Sequence, residues 1–407
     1  MEKPPGGKPW INIISPKIAP PSLKDNTADV DRLIKGIKKT LQAERINVEF
    51  SLAKTLPQTL RHYNYNVDAA VFENPNGWHL IDVFSAQKET RIYGLAVDLG
   101  SSTVVTRLVE LKSHELTDET SFHNPQVQIG TDILTRIHFA AQDGGLVKLQ
   151  TLLVERLNRE IHRLAEKHHI ERRSIVGLSV AGNTTMTHLI LGLDPYWICR
   201  EPYNPIVNKP DRIRSKALGL EINPEAPVLV FPNVGSYFGG DLIAGILASG
   251  MMDRQAPSIL VDVGTNAEVV VGNSDWLMAC AGAAGPALEG GVAHMGMMAG
   301  PGVIDHVRIG PQPDPFTIKT IDNKPPVGIC GSGLIDLVAE LFLAGMIDER
   351  GKYVRKKCGP RLRVIDDIHH LVIVPPEDSK TGHALTLSQP DIDALMRSKA
   401  AMYTILT

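Results

Sequence analysis

Residues 93–106 read YGLAVDLGSSTVVT and residues 258–271 read SILVDVGTNAEVVV. Each is an apolar run that stops at an aspartate, passes through x-Gly-Ser/Thr or x-Gly-Thr-Asn, and resumes as a second apolar run. The lengths and β-branched content predict two strands joined by a tight turn in both places. A glycine at such a turn lets the backbone bend sharply and approach a ligand closely. Hydroxyls and amide N–H groups around it then suit phosphate oxygens. The aspartates, Asp98 and Asp262, cannot bind phosphate directly because both partners are anions. Their chemistry fits a Mg²⁺ reached through water, since that ion keeps much of its hydration shell. One such turn is weak evidence, because a Gly-Ser pair after a strand is commonly only a β-turn. Two copies predict a duplicated α/β unit, with one copy facing the other.

Outward from these turns, the chain shows further signals of the same kind. Ile175–Val180 is a predicted strand ending in Ala181-Gly182-Asn183-Thr184-Thr185. Asn183 and Thr184 there are either a helix start, with Asn183 as the cap, or contacts to the γ-phosphate side. Gly239-Gly240-Asp241 opens a helix in which Ala244, Gly245 and Ala248 permit a close helix crossing. Asp241 is either a cap or the carboxylate that orients the water attacking the γ-phosphate. Leu149, Leu153, Leu157, Ile161 and Leu164 give residues 146–169 one apolar face and predict a long helix. Gly290-Gly291 either offer backbone N–H groups to phosphate or open a closely packed helix.

The N-terminal part differs. Residues 1–22 hold six prolines, which reads as a linker or extended arm. Val30, Leu33, Ile34, Ile37 and Leu41 then predict a helix with Asp25 or Asn26 as its cap. Two β-rich runs flank Asn74-Pro75-Asn76-Gly77, an Asn-Gly hairpin signal. The expected domains are therefore a linker over 1–22, a small α/β domain over 23–90, and two further subdomains over 91–250 and 251–407. A helix from Asp391 runs to Thr407, so truncation is the expected reading of that end.

The 407 residues include 43% hydrophobic and 21% charged residues with a net charge of −3, so nucleic acid is not an expected partner. No run of about 18 apolar residues is present, so no membrane is expected either. The N-terminus lacks the apolar stretch of a signal peptide, which leaves a cytoplasmic location as the expectation. Cys199, Cys280, Cys330 and Cys358 are too scattered for an iron–sulfur cluster, and read as small buried apolar residues. His168 and His169 are placed to meet a helix C-terminal dipole. Met295, Met297 and Met298 read as core filling.

The order of first turn, acidic small-residue helix and second turn resembles the actin-like ATPase superfamily of sugar kinases, heat-shock chaperones and actin. Narrower stretches, Val261–Glu268, Ala279–Gly291, Val180–Met186, Gly328–Asp336 and residues 391–401, look like the ATPase portion of reductive activators of corrinoid proteins. Pro20–Leu23 with Asp29 and Arg32 resembles that family's linker. The resemblance implies a duplicated actin-like, ribonuclease H-like fold, incomplete at the C-terminus and preceded by a small α/β domain. It implies ATP and Mg²⁺ as cofactors. Gly100, Ser101, Ser102, Thr103, Gly264, Thr265, Asn266, Asn183, Thr184, Gly290 and Gly291 would then line the nucleotide. Asp98 and Asp262 would serve the Mg²⁺, and Asp241, Asp98 and Asp262 the catalysis. The implied activity is ATP-dependent return of a corrinoid from Co(II) to Co(I) in a methyltransferase system. Its partners would be a corrinoid protein or corrinoid methyltransferase, a ferredoxin-type electron donor and, as a homodimer, a second copy. A [2Fe–2S] cluster is expected only in an N-terminal ferredoxin-like domain, and the adenosine-binding end beyond Thr407, so weak nucleotide binding is expected of these residues alone. The alternatives are a small-molecule kinase of the same fold, an activator of a radical dehydratase, and an inactive fragment. The dehydratase class carries cysteines between its phosphate turns, where this chain has only Cys199.

Overall fold

A computed structural model describes residues 9–87, 90–263, 266–283, 293–297, 299–310 and 316–406. The chain divides into two compact units, Met1–Gly250 and Met251–Thr407. Among the described residues no helix is long and apolar enough to cross a membrane.

The first unit begins with a four-stranded sheet, β1 (Ile11–Ile14), β2 (Ile46–Val48), β3 (Val67–Asn74) and β4 (Gly77–Ser85), in the order β1-β3-β4-β2. The Asn-Gly hairpin forms as read, with Asn74 opposite Gly77 and Gly77 at φ +105°. The proline-rich arm differs from its expectation. Ile11–Ile14 pairs with Phe72–Ala69, so part of the arm is an edge strand. The following helix spans Asp29–Leu41, and its N-cap is Ala28 without a side-chain bond. Asp25 instead accepts from Arg32 at 2.5 Å, which secures a guanidinium only 6% exposed.

A larger six-stranded sheet follows: β5 (Tyr93–Leu99), β6 (Thr103–Glu110), β7 (Leu116–His123), β8 (Ile175–Gly182), β9 (Ile213–Arg214) and β10 (Pro227–Val230). Their order is β7-β6-β5-β8-β10-β9. β5, β6 and β7 form an antiparallel meander, while β8 runs parallel to both β5 and β10. Parallel neighbours need a crossover, and the helix Gly145–Lys167 supplies it between β7 and β8. All five leucines and isoleucines of its predicted face sit in the core with Leu95, Val97 and Leu99. The two sheets of this unit are joined through Ile11, Phe72, Ile81, Ile92 and Val176. Buried Asp82 also accepts from Arg173 at 2.5 Å and from Asn223 at 2.6 Å. His168 reaches Asp118 at 2.7 Å, beside Lys167, rather than acting only on a helix end.

The second unit contains three three-stranded sheets among its described residues. The first is the meander β11 (Ser258–Val263), β12 (Asn266–Gly272) and β13 (Leu277–Ala283). The second combines β14 (Val303–Ile309), β15 (Phe316–Thr320) and β16 (Gly328–Ile329), and the third β17 (Leu362–Ile365), β18 (Ile368–Val374) and β19 (Leu385–Ser388). The helices Gly331–Leu343 and Gln389–Leu406 close its core through Leu334, Leu337, Leu341, Ile392 and Leu395. Asp391 tethers the latter helix, accepting from the Ser388 N–H at 2.8 Å and the His294 N–H at 3.3 Å. Met295 is buried as core filling; Met298 lies outside the described residues. Cys330 and Cys358 are buried as expected, but Cys280 is exposed and Cys199 half-buried. The repeat between the units is thus the meander; among the described residues the second meander is not extended by a parallel strand, and parallel pairing in that unit joins β14 to β16 in a separate sheet.

Candidate nucleotide-binding site

The first turn lies where β5 ends and β6 begins. Asp98 is exposed one residue before the end of the strand, while Leu99 beside it is fully buried and anchors the strand end. Gly100 is required sterically: a Cβ there would fall 2.3 Å from the Thr103 carbonyl oxygen. β8 brings its own end alongside, with Ala181 opposite Asp98 and Gly182 opposite Leu99. In open sheets of this kind, ligands sit beyond the carboxyl ends of parallel strands.

Asn183 follows β8 and caps the helix Thr184–Leu191, accepting from the Met186 N–H at 2.9 Å. Its amide nitrogen donates to the Ser101 hydroxyl at 2.9 Å, so the cap also ties two predicted site segments together. Thr184 is 1% exposed, and its hydroxyl donates to the Gly235 carbonyl at 3.2 Å. The third segment is the start of the helix Gly240–Ser249. Its N-cap is Gly239, where a Cβ would lie 2.5 Å from the Asn183 Cα and 2.8 Å from the Gly182 carbonyl oxygen. Only glycine permits that approach. Asp241 is therefore in the first helical turn rather than at the cap, and its carboxylate accepts from the Leu242 N–H at 2.9 Å. Two helix N-termini and one glycine turn converge here, an arrangement whose N–H groups and dipoles favour an anion.

His188 holds the inner wall of this region. Its Nδ1 donates to the Thr184 carbonyl at 2.7 Å, which leaves Nε2 to accept from the Ile206 N–H at 3.1 Å. Burial pushes its pKa below the usual histidine value, in keeping with a neutral ring used on both edges.

In the second unit, Asp262 is exposed near the end of β11, opposite Glu268 of β12. Asn266 opens β12. Gly264, Thr265, Gly290 and Gly291 lie outside the described residues. Elsewhere in the first unit, a cavity of about 900 Å³ lined by His162, Glu166, Arg172 and Glu221 includes none of the predicted site residues. Sequence reasoning passed over Asn124 and Arg136, which are buried against the first turn. A usable signal existed for Arg136, a cation in the apolar stripe of Ile133, Ile137 and Ala140.

Family models described as the RACo linker region, the RACo middle region and the C-terminal domain of RACo, the ASKHA domain, match residues 8–90, 93–254 and 256–407. The chain belongs to the RACo family. A solved structure titled reductive activator for corrinoid, iron-sulfur protein superposes with a TM-score of 0.87 at 35% identity, covering 99% of this chain and 64% of that one. The corrinoid activation enzyme RamQ of Eubacterium limosum is 30% identical over 377 residues, covering 87% of this chain and 62% of the relative. The [Co(II) methylated amine-specific corrinoid protein] reductase of Methanosarcina barkeri is 25% identical over 308 residues, covering 68% and 56%. The chain thus spans less than two thirds of the length of these relatives. In RACo terms, the first turn, Asn183 and Asp241 lie in the middle region and Asp262 in the ASKHA domain.

Proposed function

We propose that this RACo chain supplies the ATP-driven part of a corrinoid activator, in which an electron returns an inactive Co(II) corrinoid to Co(I). The observation that carries the reading is the meeting of the 98–103 turn, Asn183 and the helix start at Gly239–Asp241. Relatives whose names record corrinoid activation and Co(II) corrinoid reduction support the same reading. Gly100, Ser101, Ser102, Thr103 and Asn183 bind the phosphates, with Thr184 supporting the Asn183 segment through its buried hydroxyl. Gly264, Thr265, Asn266, Gly290 and Gly291 are the second phosphate-binding set of the same proposal.

Asp98 and Asp262 are exposed carboxylates at strand ends, the hard oxygen donors that suit Mg²⁺. Among the described residues no group of three or more His, Cys, Asp or Glu side chains could hold a metal. The two aspartates would orient the ion through water, because Mg²⁺ keeps much of its hydration shell, and the ion would supply charge neutralisation of the phosphates. Asp241 orients the attacking water. The four cysteines do not fit a [2Fe–2S] cluster, so the electron enters from a ferredoxin-type donor or domain outside these residues. ATP can favour the electron step only by stabilising one conformation of the activator–corrinoid complex over another. Partner contacts belong to a corrinoid protein or corrinoid methyltransferase.

The test follows Co(II) loss spectroscopically in the full-length protein with its corrinoid partner, with and without ATP. Wild type is expected to need ATP, and Asp262→Ala to slow the reaction by about 10²-fold or more, the scale of losing a metal-orienting carboxylate. ATP-independent reduction at the full rate would contradict the proposal.

A further inference from the structure

Three consecutive carbonyls of the first turn are drawn back into the protein. Asn124 donates its side-chain amide to the Gly100 carbonyl at 2.9 Å and its backbone N–H to the Ser102 carbonyl at 2.8 Å. Between them, Arg136 donates to the Ser101 carbonyl at 2.7 Å. A peptide unit is planar and trans, so its C=O and the following N–H point in opposite directions. Fixing the carbonyls of residues 100–102 on the inner side therefore turns the N–H groups of Ser101, Ser102 and Thr103 the other way. Among the described residues neither the Ser101 nor the Ser102 amide donates to a protein acceptor. Successive N–H groups on one side of a turn make an anion-binding concavity.

Arg136 itself is unusual. It is 0% exposed, and no carboxylate among the described residues forms an ion pair with it. Its other donors meet the Gly130 carbonyl at 2.8 Å, Gln126 Oε1 at 3.4 Å and the Met186 sulfur at 3.3 Å, all neutral. Asp132, the acidic group that influences it, is engaged as a helix cap, accepting from the Thr135 N–H at 2.8 Å. Burial lowers the guanidinium to about 10, still charged at neutral pH. An unpaired buried cation is costly and is seldom retained for stability alone.

We propose that Arg136, seated with Asn124 behind the first turn, is a positioning residue that presets the turn for polyphosphate and supplies a buried positive charge whose counter-ion is the bound nucleotide's phosphates. This rests on the nucleotide reading above. Arg136 acts through the Ser101 peptide, without touching the ligand.

The experiment is calorimetric titration of the full-length protein with MgATP and, separately, with adenosine, for wild type, Arg136→Met, Arg136→Lys and Asn124→Ala. Arg136→Met is expected to weaken MgATP by more than about tenfold, the scale of losing a charge-assisted hydrogen bond, with adenosine unchanged. Lysine keeps the charge but cannot span Gly130 and Ser101 together, so Arg136→Lys should recover part of the affinity. Should Arg136→Met fail to fold, the Arg136→Lys and Asn124→Ala titrations decide. A loss confined to MgATP supports the inference, and an equal loss for adenosine overturns it as mere structural damage. Wild-type binding of MgATP with all variants unchanged overturns this inference alone. A wild type that binds no MgATP overturns the nucleotide reading and this inference with it.

Discussion

The two Asp-x-Gly turns share a sequence pattern but not a setting. β5, which delivers Asp98, is flanked on one side by β6 and on the other by parallel β8, and Leu95, Val97 and Leu99 are each 3% exposed or less. Among the described residues β11, which delivers Asp262, lies at the edge of its sheet, and Ile259 and Val261 are 60% and 39% exposed. Across the hairpin, Asp98 faces Val105, whereas Asp262 faces Glu268, a second carboxylate. The same local motif therefore arrives on a buried central strand in one unit and on an exposed edge in the other. Local sequence fixes the hairpin; only a distant strand decides whether its apolar residues are covered.

The largest effects should fall on chemistry at the turns themselves. Asp98→Asn is expected to lower ATP-dependent Co(II) loss in the full-length protein by about 10²-fold, matching Asp262→Ala despite the different strand settings. A loss at one turn with none at the other would make the comparison one of function as well as of packing.

Stability should separate the two strands more sharply. Leu99→Ala removes a fully buried side chain and should cost about 2–5 kcal/mol, read from urea unfolding. Val261→Ala, on the exposed edge, should cost well under about 1 kcal/mol. Equal costs would mean that β11 is covered as thoroughly as β5.

The smallest expected effect concerns pH and the wall behind Asn183. His188 has a lowered pKa when folded, so the unfolded chain takes up the proton first. Stability should be level above about pH 6.5 and fall as pH drops below that value toward the folded pKa. His188→Gln should flatten this slope in urea midpoints compared between pH 8 and pH 5.5.

Much of this architecture was readable from short-range pattern. Both hairpins, the Asn-Gly turn at 74–77 and the apolar face of the helix Gly145–Lys167 are local signals, and each appears where its residues predicted. The convergence of Ser101, Asn183 and Gly239 was only half legible: the strand ends were visible, but their adjacency depends on the parallel pairing of β5 with β8. Pairing between distant segments also explains the misread arm, since Ile11–Ile14 becomes a strand only because β3 offers it an edge. Local rules favour Asp25 or Asn26 as a cap, but Ala28 takes that position and buried Arg32 claims Asp25 instead. Arg136 escaped notice for a related reason. An arginine on a helix is usually solvated, and nothing within its own segment announces that the Ser101 carbonyl lies opposite it.

The central proposal is that Asp98 and Asp262 both serve a magnesium nucleotide. Its most direct test is the MgATP dissociation constant of the full-length protein bearing Asp98→Asn, Asp262→Asn or both. Each single change is expected to weaken binding, and the double variant to lose less than the product of the two losses, because both groups serve one ligand. A single variant that binds MgATP as tightly as wild type would contradict the account.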